Sequence, residues 1–157
     1  MSLKKINTVL AVAFILFILW FGSEFILRPE VVAPGFGLPN QPSGDGGGFL
    51  IVKGTRDVVL ALVLVVLLAA GHRRALGWAL LVEALAAYGD MANVLAHHGS
   101  VATALGVHGL TATLMVVNGL LIMRETRRSE ARDSAGPDGS IAIRRASRSR
   151  VEGGLSG

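Results

Sequence analysis

The chain has 157 residues, is 52% hydrophobic and carries a formal net charge of +4 with no cysteine, and its mean hydropathy is +0.57. That balance excludes an ordinary soluble domain and points to one compact membrane domain, while the missing cysteines exclude thiol catalysis, disulfides and thiolate metal sites. The positive charge gathers at the N-terminus, in one short loop and in the tail, with no basic stripe interleaved with aromatic residues, so it carries topology information and no nucleic-acid partner is expected.

Four segments are long and apolar enough to cross a bilayer: residues 6–27, 49–70, 75–96 and 101–123. Each is close to the ~20 residues that a tilted helix needs. A cleaved signal peptide is the competing reading of the first. Its apolar region is long for one, and the nearest small-residue site, residues 31–33, is followed by Pro34, so an uncleaved span is expected. The connection over residues 29–48 holds Pro29, Pro34, Pro39 and Pro42 and then Gly44, Gly46, Gly47 and Gly48, a composition that predicts an irregular loop. In the second span the uninterrupted apolar run, residues 58–70, is only about 20 Å long as a helix. The turn carrying Lys53, Arg56 and Asp57 therefore lies at membrane depth.

The chain is thus expected to form an all-α, four-helix transmembrane bundle over residues 1–123, followed by a basic, disordered cytoplasmic tail over residues 124–157 that is too poor in bulky apolar groups to offset ordering entropy. Lys4 and Lys5 precede the first span, Arg73 and Arg74 fill the loop between the second and third, and Arg124, Arg127 and Arg128 follow the fourth. The other two loops contain no Lys or Arg. By the positive-inside rule both termini are cytoplasmic, in a multi-pass protein of the plasma membrane.

Five ionisable side chains, Lys53, Arg56, Asp57, Glu83 and Asp90, interrupt these apolar stretches. Each costs roughly 2.5–3.5 kcal/mol near the middle of a lipid-facing helix, so they are expected to face one another. Counted from the outer helix ends, Arg56, Asp90 and His108 lie at one depth, roughly 10 Å down, with Glu24 near the outer end of the first span. Glu83, Asp90 and His97 share one face of the third span; His108, Thr111, Ala112, Met115 and Gly119 share one of the fourth, with Asn118 at its edge. Arg56 and Asp57 project about 100° apart, which predicts that they do not pair with each other. Arg56 is expected to pair with Asp90, or with Glu24, and Asp57 with Lys53 or His108.

The strings G-F-G-L-P-N (residues 35–40), K-G-T-R-D (53–57) and R-R-A-L-G-W (73–78), with Gly89-Asp90 and His108-Gly109, resemble small four-span membrane proteins grouped as domain of unknown function 4267. The resemblance covers about residues 5–123. It implies a membrane location and a four-span fold, and supplies no activity.

Buried ions either fix helix register or mark a ligand or proton site. In the functional reading Glu83, Asp90 and Asp57 are the catalytic candidates. Glu83, near the bilayer centre among apolar neighbours, is the acid: it can protonate an alkene, epoxide or enol, or carry protons in transport. Asp90 or Asp57 is the base. Arg56 is an anion holder, and Lys53, Asn93, His108 and Glu24 complete the ligand-binding set; Lys53 can also be explained as an interfacial lysine that snorkels. If Glu83 is structural, it is expected to hydrogen-bond to Thr111, Asn118 or a backbone carbonyl.

No cofactor and no metal is expected. His72, His97 and His108 lie at different depths, which weakens haem ligation, no metal-ligand spacing is met, and the glycine run at 44–48 lacks the Lys-Ser/Thr of a phosphate loop. Three functions follow: binding or acid–base conversion of a lipophilic small molecule arriving from the membrane lipid, a proton-linked transporter or accessory subunit acting as a homodimer, or a structural membrane protein with an ion-pair network only.

Overall fold

The computed structural model describes residues 3–134, all of whose regular elements are helical. They are α1 (Leu3–Leu27), α2 (Pro29–Val32), 3₁₀ turns at Ala33–Phe36 and Gly44–Gly47, α3 (Gly48–Ala69), α4 (Arg73–Ala96), α5 (Val101–Thr103), a π-helical segment Ala104–Gly109 and α6 (Leu110–Ser134).

Local chemistry explains the boundaries. Pro29 disfavours helical backbone at Arg28, which adopts φ −141° and ψ 53°, and α1 ends there. Pro29 and Pro34 then begin new turns at positions where no N–H donor is needed. The expected irregular loop is therefore built in part from short helical turns. α3 ends with Gly71 left-handed, φ +71°, its N–H donating to Leu68 O and that of His72 to Leu67 O. α4 ends the same way with His98 at φ +56°, closed by His98 N to Leu95 O and Gly99 N to Val94 O. Ser100 caps α5 by accepting from Thr103 N at 3.2 Å.

Among the described residues three helices are long and apolar enough to cross a membrane: Leu3–Leu27, Arg73–Ala96 and the continuous Val101–Arg132. α3 is 22 residues long, but every stretch of it long enough to cross includes Lys53, Arg56 and Asp57. The four apolar spans read from the sequence thus reduce to three, with one long charged helix beside them.

The chain divides after Met123. In the second unit helix continues to Ser134, so residues 124–134 are helical, where disorder was expected from Arg124. The remainder of that expected disordered tail lies outside the described residues.

Two apolar clusters hold the first unit together. One joins Ala11, Phe14 and Ile15 of α1, Leu64 of α3, Leu76, Leu80 and Ala84 of α4, and Met115 and Ile122 of α6. The other joins Phe25 at the far end of α1, Ala33 and Phe36 of the following turn, Leu50 at the start of α3, Val94 near the end of α4, and Ala104. The first half of α1 and the start of α4 thus meet the end of α3 and residues 115–122 of α6, whereas the end of α1 and the end of α4 meet the start of α3 and Ala104, so successive long helices alternate in direction.

Helix α1 crosses α3 glycine on glycine: a Cβ on Gly54 would stand 2.6 Å from the Gly22 carbonyl, and one on Gly22 would stand 2.9 Å from the Gly54 carbonyl. α4 and α6 repeat the device at Gly77 and Gly119, where the corresponding distances are 3.2 and 2.9 Å. Because backbone blocks the added methyl at Gly54, Gly54→Ala is expected to cost about 1–3 kcal/mol. Gly89→Ala, with nothing within 4 Å of its Cβ, should leave stability unchanged or slightly raised. Thermal unfolding in detergent, followed by circular dichroism, checks the contrast; equal losses would remove the α1–α3 crossing as a constraint.

Candidate functional site

The Gly22–Gly54 contact brings the first turns of α3 against the phenylalanine stripe of α1. One turn apart on α3, Lys53 Nζ donates to Asp57 Oδ2 at 2.6 Å. Arg56 Nε and Nη2 both donate to Asp57 Oδ1, at 3.1 and 2.9 Å. The expectation that Arg56 and Asp57 stay apart is corrected: their Cα–Cβ bonds diverge, but the long arginine side chain folds back around the helix to reach its neighbour.

Asp90 of α4 completes the cluster at longer range. Its Oδ2 lies 3.7 Å from Lys53 Nζ and 3.6 Å from Arg56 Nη2, an ion-pair contact without a hydrogen bond. Two cations and two carboxylates therefore compensate one another. The Lys53 ammonium also sits over three aromatic rings, 5.1 Å from the centroid of Phe21, 4.8 Å from Phe25 and 5.1 Å from Phe36.

His108 is carried by the π-helical segment, whose wider turn displaces side chains from ordinary α-helical phase. It is buried, its Nε2–H donates to the Phe36 carbonyl at 3.0 Å, and the two rings stand 4.8 Å apart. That bond ties the Ala33–Phe36 turn to the bundle. His108 does not engage Asp57.

Glu83 differs from every other acid in the group. It is 8% exposed, and its Oε2 has no hydrogen-bond partner among the described residues. The expected bond to Asn118 is absent: Asn118 is fully buried and its own Oδ1 and Nδ2 have no partner there either.

These groups surround a cavity of about 70 Å³, room for several waters or the head of a small organic molecule. Lys53, Arg56, Asp57, Glu83, Asp90 and His108 all line it. Between them lie apolar walls, with Phe17, Ile18 and Phe21 from α1, Leu60 from α3, Ala86 and Ala87 from α4, and Val107, Thr111 and Met115 from the last helical stretch.

Two expected ligand-binding residues stand elsewhere. Glu24 is one position before the buried Phe25, turned off the inward stripe of α1, and it pairs with Arg28. Asn93 is exposed because Val94 takes the inward position on α4; its backbone carbonyl accepts from the His97 backbone N–H at 3.2 Å and from His97 Nδ1 at 2.9 Å. Among the described residues no three His, Asp or Glu side chains are grouped as a metal site. Sequence reasoning missed the aromatic seat of Lys53, although Phe17, Phe21 and Phe25 recur at helical spacing.

The fold and cavity are those of a small helical protein with apolar helices of membrane-spanning length and a cavity into which several ionisable side chains project. The chain belongs to the family described as Domain of unknown function (DUF4267), whose sequence profile matches residues 15–122. No curated protein and no solved structure matches it.

Unequal contacts predict unequal costs for the two aspartates. Asp57→Ala strips both cations of their hydrogen-bonded partner and is expected to cost roughly 3–5 kcal/mol. Asp90→Ala, whose nearest cation is 3.6 Å away, should cost clearly less. Denaturant or thermal unfolding in detergent reads the order, and a larger loss at Asp90 would contradict it.

Proposed function

We propose that the protein binds the polar head of a lipophilic small molecule that enters the cavity from the bilayer, with acid–base conversion as the chemistry the cavity can supply. α3 acts as the fourth span, and both termini face the cytoplasm. Val59, Leu62, Val63 and Val66 give α3 an exposed apolar face like those of its neighbours, while Asp57 is buried and Lys53 largely covered. A helix with apolar groups outward, Lys53 and Asp57 inward and Arg56 half-exposed but paired with two carboxylates is compatible with lipid. The basic residues Lys4, Lys5, Arg73 and Arg74 support the orientation.

Glu83 carries the proposal. A buried carboxyl oxygen without a partner costs about 1–3 kcal/mol or more, and natural proteins keep such groups chiefly where something binds or reacts. In this scheme Glu83 is the acid. Asp90 is the base in preference to Asp57, because its cation contacts are longer, 3.6–3.7 Å against 2.6–3.1 Å. One proton enters the guest from Glu83 as one leaves it for Asp90. Asp57 positions Lys53 and Arg56.

Glu83→Leu separates binding from scaffolding. Removal of an unsatisfied acid from an apolar wall is expected to leave the thermal midpoint unchanged or higher. Organic extracts of the purified proteins, compared by mass spectrometry, should contain a small lipophile in the wild type that is depleted in the variant. Identical extracts, or a variant that unfolds more readily than wild type, would oppose the assignment.

A further inference from the structure

We infer that the guest is an electrically neutral lipophile with one small hydrogen-bond-accepting group, of the ketone, ester, epoxide or ether type, held by the Glu83 carboxyl; this rests on the binding site proposed above. Charge balance is the first ground. Lys53 and Arg56 each face both Asp57 and Asp90, so the cavity wall has no uncompensated cation for an anionic guest. Such a guest would have to displace Asp57, held by hydrogen bonds as short as 2.6 Å, or stand beside Asp90, whose carboxylate would repel it. A cationic guest fares no better, because the Lys53 ammonium already occupies the aromatic seat formed by Phe21, Phe25 and Phe36.

The second ground is Glu83 itself. Among the described residues it has no ion-pair partner, and its Oε2 is buried and unbonded on the cavity wall. An anion there would stand in apolar surroundings without a counter-charge, at a cost that a carboxylic acid avoids. As an acid it is a hydrogen-bond donor, and it asks for an acceptor on the guest. The third ground is size: about 70 Å³ admits a small head, while Phe17 and Val107, 37% and 39% exposed, offer an apolar exit for the chain behind it.

The test uses full-length protein in phosphatidylcholine nanodiscs with four probes of matched chain, 2-undecanone, decanoate, decylammonium and undecane, and reads saturable thermal stabilisation. The ketone should stabilise the wild type, and its apparent affinity should fall roughly three- to tenfold in Glu83→Leu, the factor that one hydrogen bond is worth. Decanoate and decylammonium should bind roughly a hundredfold more weakly than the ketone, or not measurably. Stabilisation by either ion, or by undecane, equal to that by the ketone overturns the neutral-acceptor assignment and leaves a lipophile site standing. Ketone binding untouched by Glu83→Leu overturns Glu83 as the donor. Saturable binding by none of the four removes the site itself, and the functional proposal with it.

Discussion

Asp57 is the knot on which the rest of the structure depends. It accepts from Lys53 on one oxygen and from Arg56 twice on the other, so two cations of α3 are held on one carboxylate, and Asp90 of α4 balances the remaining positive charge. Coulomb attraction at these distances is strong in a medium of low dielectric. Without a compensating carboxylate, the same medium would make the covered Lys53 ammonium too costly to bury.

That compensation works only because α1 and α3 come unusually close. At Gly22 and Gly54 there is no side chain to hold the backbones apart, and the resulting contact slides Lys53 beneath Phe21 and Phe25. The Ala33–Phe36 turn contributes the third ring through Phe36, which is itself fastened to the bundle by the His108 hydrogen bond. One ammonium is thereby covered on its aromatic side and neutralised on its acidic side. In a membrane, where apolar side chains gain nothing by leaving lipid for protein, close backbone packing and internal polar contacts of this kind hold helices together.

The same economy leaves Glu83 conspicuous. Its neighbours on α4, Leu80 and Ala84, belong to an apolar cluster, whereas the carboxyl opens on the cavity shared with the ion cluster. A protein selected only for a rigid bundle would gain from a leucine at this position. The site therefore separates into an ion cluster shared by α3 and Asp90 of α4 and a buried carboxyl oxygen without a partner at Glu83, and the functional proposal starts from that division.

Much of this was legible in the chain. The helix boundaries follow from proline, glycine and apolar run length, and the inward orientation of Lys53, Asp57, Glu83, Asp90 and His108 follows from the cost of exposing polar groups to hydrocarbon. These are local or one-body constraints, so sequence alone determined them. The partners were not determined in this way: that Arg56 bends back to its neighbour, that Phe36 reaches His108 from 72 positions away, that Val94 and Phe25 displace Asn93 and Glu24 from the interior, and that Asn118 fails to reach Glu83. Each depends on how far one backbone stands from another and which rotamers the gap allows. Only the tertiary structure decided them, because helix crossing distance is set jointly by glycines and bulky side chains far apart in sequence.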